Sequence, residues 1–159
     1  MNETSTHTPH RPRSVPVLQT VALLVGSAIS TWWLTYTRPE EVAAAEGFPF
    51  PEADYAIDPL TLPAWAETLL GVGALLLTVT MAILLVRAVT GGRLAPRWGL
   101  VILLLTPIPM MGGVWWMIAT AAGIGANIGL GLAAMTFGPA ILILLVAAAG
   151  TAILALRTR

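Results

Sequence analysis

The chain has 159 residues, 57% of them apolar and only 10% charged, with a mean hydropathy of +0.82, whereas a soluble domain carries roughly 25% charged residues, so a water-soluble globule is excluded. Acidic and basic side chains cancel at eight each, and all eight cations are arginine, which removes the electrostatic case for a nucleic-acid partner. With no cysteine, the chain forms no disulfide, iron–sulfur centre or CxxC zinc or redox motif.

In chain order, the first 14 residues (MNETSTHTPHRPRS) are polar with two prolines and predict a disordered cytoplasmic tail. His7 and His10 in that tail lack further ligands and are separated by Pro9, so they read as solvated side chains and no metal is expected. A helix needs about 20 apolar residues to cross a hydrocarbon layer of roughly 30 Å. The first such run covers residues 15–34, between Arg13 and Arg38. It is longer than the 7–15 residue core of a signal peptide, and the nearest Ala-x-Ala, at Ala43 and Ala45, lies past Arg38, Glu40 and Glu41; it therefore reads as an uncleaved anchor. Ala22, Gly26 and Ser30 place small residues at four-residue spacing on one face of this span, which permits close helix packing in lipid.

Residues 35–63 form an acidic outer loop with six carboxylates in EEVAAAEGFPFPEADYAID. Their spacing matches no EF-hand, and they read as solvation of an extracytoplasmic segment. Phe48, Pro49, Phe50, Pro51 and Tyr55 suit a stiff extended piece that lies on the outer surface or docks on a partner. The second span is expected at residues 64–86, stopping at Arg87, with Glu67 in its first turn placed to complement the helix dipole.

From Trp98 to Leu156 there are 59 residues without one charged side chain, enough for two spans. The stretch 120–129 (TAAGIGANIG) favours a turn, which sets span three at 98–119 and span four at 130–156. Span three holds TPIPMMGGVWW at its centre, and Pro107 and Pro109 each remove a backbone donor, so a kink or opening is expected there. Broken helices at the midplane are where transporters place substrate sites. Pro107, Pro109, Met110, Met111, Gly112, Trp115 and Trp116 are therefore the candidate ligand or packing site, expected to face other spans and to open outward between spans three and four. Gly138 and Pro139 in span four repeat the motif, and the two kinks are expected to nest.

These readings give an all-α membrane protein, a four-helix transmembrane bundle comprising residues 15–159. Arg11, Arg13, Arg87, Arg93, Arg97, Arg157 and Arg159 fall on one side and only Arg38 on the other, so both termini are expected to be cytoplasmic in a plasma membrane. Trp32, Trp33, Tyr36, Trp65 and Trp98 stand at span ends, where amphipathic rings settle among headgroups. The all-Arg, Ala-rich composition is associated with GC-rich bacterial genomes. No span has an ionisable residue at its middle and none contains histidine, so neither a proton relay, a two-His haem, nor the groups of an intramembrane protease are expected. The functional expectation is a protein that is not an enzyme and carries no cofactor, an accessory or assembly subunit with the lipid bilayer and a membrane-protein partner or second copy as its contacts. The alternative is a small oligomeric transporter or channel that binds at the broken third helix.

Overall fold

The structure is a computed structural model that describes residues 14–38, 41, 44–45, 47, 55–121 and 126–157. It is all-α, with α1 at Ser14–Thr35, α2 at Ala64–Thr90, α3 at Pro96–Leu105, α4 at Pro107–Thr120 and α5 at Ala126–Arg157. Together α3 and α4 make one span, Pro96–Thr120, so four helices are long and apolar enough to cross a membrane. The N-terminal tail with His7 and His10, the Phe48–Pro51 aromatics and the residues at 122–125 lie outside the described residues. Below, the end of the bundle carrying the 35–63 segment is the loop side, and the end carrying the 91–95 connection is the turn side.

Helix ends follow local chemistry rather than charge. Arg87 does not stop α2, which continues to Thr90, because an arginine in a last turn complements the helix dipole and reaches water with its long stem. The stop comes at Gly91 and Gly92. Gly92 takes φ 69°, a backbone region natural to glycine, and the amides of Gly91, Gly92 and Leu94 donate back to Arg87, Val89 and Ala88. Pro96 opens α3 at a first-turn position, two residues before the expected Trp98, where a missing N–H costs nothing. The turn expected over 120–129 is shorter than it reads: α5 already includes Asn127 and Gly129, and Gly129 lies where α4 comes close, a β carbon on it falling 3.6 Å from Ile118. At 31 residues the fourth span measures about 46 Å by helical rise, longer than the hydrocarbon layer, so it tilts or projects beyond it.

Laterally the spans run two, one, three, four. α1 packs on α2 and on α4, and α5 packs on both α3 and α4, while α2 and α3 touch sparingly. The result is an open row rather than a closed bundle. Five of the eight buried apolar residues among those described are alanine, and large residues such as Leu69, Leu76, Met135, Leu142 and Ile143 point outward. This inversion of the soluble pattern is what a lipid solvent selects, since it gives bulky side chains no reason to be inside and rewards close backbone approach. Contact with the lipid bilayer follows.

The α1–α2 seam is the tightest. On α2, Glu67, Gly71, Ala74 and Leu85 are buried; with Thr78 they step by fours and threes until the last interval of seven, the spacing of left-handed helix pairs. Gly26 of the expected small-residue face sits against Thr78 and the Ala74 carbonyl, where a β carbon would stand 2.7 Å from the Thr78 hydroxyl. Ser30 is buried as well, but Ala22 is only half-buried, and Ser27 is the most buried side chain of the face. The hydroxyls of Ser27, Ser30 and Thr78 donate to carbonyls of their own helices, at Leu24, Ser27 and Ala74, so these three hydroxyls join the seam by packing and not by bonds across it. On the other flank of α1, Gly113 of α4 lies against Ala28 and Trp32, a β carbon there standing 2.9 Å from the Trp32 amide nitrogen.

Candidate functional site

Span three does break at its prolines. The regular helix ends at Leu105 and restarts at Pro107, with Thr106 between them keeping helical dihedrals. Proline at 107 and 109 denies the carbonyls of Leu103 and Leu105 their usual donors four residues on. The Thr106 hydroxyl donates to Ile102 at 2.8 Å, a carbonyl that already receives the Thr106 amide at 3.0 Å. It thus reinforces the last intact turn of α3 and leaves the freed carbonyls to other partners.

The proline-rich segment lies against α1 through one face of α4. Pro109, Gly112, Gly113 and Trp116 are spaced i, i+3, i+4 and i+7 and so share that face. With Ala28, Ile29 and Trp32 of α1, and with Leu60, Leu62 and Leu70, they line a crevice of about 430 Å³ on the loop side. Of the seven expected site residues this crevice brings together Pro109, Gly112 and Trp116. Pro107, Met110, Met111 and Trp115 are not among its walls; Met110 is 41% exposed and Met111 and Trp115 are half-buried elsewhere on α4.

Three expectations about this region are corrected. The crevice opens between spans one and three, not between three and four, because α4 and α5 close on each other around Gly129 and Ile118. Gly112 is exposed and a β carbon on it would meet nothing within 4 Å, so Gly113 alone of the pair makes the close approach. The two proline sites do not nest: Gly138 and Pro139 lie on an exposed face of α5, which stays helical through them.

Sequence reasoning missed the loop-side roof. Leu60 and Leu62 belong to the acidic segment by position, yet they face the crevice, and the Ile57 amide donates to the Ala119 carbonyl at 2.9 Å, tying the segment's end to the end of α4. The only hint was that residues 59–63 (PLTLP) carry no charge. Trp32 was assigned to the headgroup belt; its ring lies 5.3 Å from that of Tyr36, but its indole N–H is buried with no acceptor among the described residues. A buried donor without a partner is costly, and a ligand acceptor reaching Trp32 would relieve that cost.

Glu67 has a partner rather than a purely dipolar role. Arg38 Nη2 stands 3.6 Å from Glu67 Oε2, with side-chain exposures of 45% and 12%, so the lone arginine of the loop side neutralises the lone carboxylate set within a span. Elsewhere in the described residues no group of three His, Cys, Asp or Glu comes together. Among the described residues the spans offer apolar and aromatic walls, hydroxyls such as those of Ser27, Thr78 and Thr106 that donate within their own helices, and an ion pair at one edge. Comparison with protein-family models, curated proteins and solved structures finds no match.

Proposed function

We propose that this four-span helical membrane protein is a non-enzymatic accessory or assembly subunit of a membrane complex, held in a plasma membrane with both termini cytoplasmic. The observation that carries the reading is a groove of about 530 Å³ along α1 and α2, floored by Gly26, Ala66, Gly73 and Ala74. Gly73 has open space around it, a β carbon there meeting nothing within 4 Å. A small-residue floor lets a second helix approach closely in lipid, where packing is the main force joining helices. In the open row of spans none of the described residues covers that face. Extraction of the full chain in mild detergent should yield a heterologous membrane protein in fixed ratio, lost on Gly73→Leu without loss of thermal stability. A chain that always purifies alone, or a partner indifferent to Gly73→Leu, overturns it.

A second reading is a small oligomeric transporter or channel that binds in the crevice of Pro109, Gly112 and Trp116. The buried Trp32 indole beside that crevice, whose N–H meets no acceptor among the described residues, favours it. Replacement of Pro107 and Pro109 by alanine should then abolish flux while insertion is intact, and unchanged flux rejects it.

A further inference from the structure

We infer that the gap between α2 and α3 is a binding site for one anionic phospholipid, its acyl chain lying between the helices and its phosphate at Arg87 and Arg93, at and beside the 91–95 connection. The gap is a crevice of about 510 Å³, floored by Leu23 of α1 and walled by residues such as Ala82, Leu85 and Val86 of α2 and Leu100 and Leu103 of α3. It runs to the turn side, since Thr90 and Pro96, the facing ends of the two helices, also line it.

Its lining specifies hydrocarbon. Three hydroxyls border the crevice, and each is already donating within its own helix: Thr78 to Ala74 at 2.8 Å, Thr90 to Val86 at 3.0 Å and Thr106 to Ile102 at 2.8 Å. No side chain of the lining keeps an unspent donor to hold water or a polar solute between the helices, and an apolar space at this depth in a bilayer is filled by acyl chain. Its open end specifies the charge. Arg87 lies in the last turn of α2, Arg93 in the connection and Arg97 in the first turn of α3, with no acidic side chain after Glu67 as far as the end of α5. Among the described residues Arg87 and Arg93 make no ion pair and both are exposed. Arg97 is committed elsewhere, donating to the Leu154 carbonyl of α5 at 3.1 Å. The first turn of α3 has no side-chain cap, and a helix N-terminus favours phosphate. Basic clusters beside inter-helix pockets recognise anionic headgroups by this combination. The site lies on a different face from the α1–α2 groove and does not depend on which way the protein is threaded.

The test is native mass spectrometry of the full chain in detergent, titrated with phosphatidylglycerol or phosphatidylcholine of identical acyl chains. One phosphatidylglycerol should be retained about thirtyfold more tightly than phosphatidylcholine, from roughly 1 kcal/mol for each of Arg87 and Arg93 near the headgroup. The exposed pair Arg87→Gln with Arg93→Gln should erase that preference while leaving phosphatidylcholine retention unchanged. Ala82→Phe, which fills the crevice, should remove the bound lipid of either kind. Equal retention of the two lipids by the unmodified chain overturns the proposal. So does a preference that survives Ala82→Phe, which would place the lipid on the surface charge alone, or a second copy of the chain found in the crevice instead of lipid. If Ala82→Phe fails to fold, the headgroup comparison and the arginine pair decide.

Discussion

The indole of Trp33 on α1 occupies the space in which a β carbon on Gly71 of α2 would stand. One turn earlier on α2, Arg38 reaches Glu67, so the loop-side end of span one is fixed to span two by an aromatic ring set on a glycine and an ion pair beside it. The ring expected among headgroups is a packing element. Gly71→Ala should therefore displace Trp33 and destabilise the protein by about 1–3 kcal/mol, the usual cost of overpacking, read as thermal unfolding in detergent. In a Trp33→Ala background the same substitution should cost much less, and additive effects would show that the two residues do not meet.

Adjacent glycines in α4 should behave in opposite ways. Gly113→Ala drives a methyl group into the backbone of α1 at Ala28 and Trp32 and should part spans one and three, lowering the unfolding temperature. Gly112→Ala meets nothing within 4 Å, and gains helix propensity, so its stability should be equal or slightly higher. Equal losses from both would contradict the placement of α4.

The Arg38–Glu67 pair should show an asymmetry. Arg38→Gln leaves the poorly exposed Glu67 carboxylate without its cation, whereas Glu67→Gln leaves only an exposed arginine in water. The first substitution should be the more destabilising, and the second should cost about 0.2–1 kcal/mol, as for pairs open to solvent. Unfolding measured at low and high salt checks the order, and a larger loss from Glu67→Gln would reverse it.

Thr106→Val removes the 2.8 Å bond to Ile102, which keeps the Thr106 amide. The cost should be under about 1 kcal/mol. Pro109→Ala instead returns a donor to the Leu105 carbonyl and should leave stability unchanged or raised. A severe loss from either variant would mean that the break is supported differently from the geometry described.

The proposed threading makes its own prediction. A single cysteine at Gly47 should react with an impermeant thiol reagent added to intact cells, and one at Gly92 should react only after permeabilisation. Labelling at Gly92 in intact cells would invert the orientation.

How much of this was legible in the sequence depends on the range of the forces involved. Charge-free runs determine the four spans, because the cost of charge in hydrocarbon is a property of each residue alone. The break at Pro107 and Pro109 was equally local, since a missing N–H is missing in any fold. Gly26 and Ser30 announced a packing face by spacing. Their partners did not: Gly71 and Gly113 are two glycines among fifteen, and only the crossing of α1 with α2 and α4 separates them from Gly73 and Gly112, which meet nothing. The same crossing turned the Pro109 face toward span one rather than span four, and brought Arg38 to Glu67. In lipid nearly every face is apolar, so hydrophobic pattern carries little information about which face meets which. That choice rests on where backbones can approach closely, a property of pairs of helices that no single stretch of sequence contains.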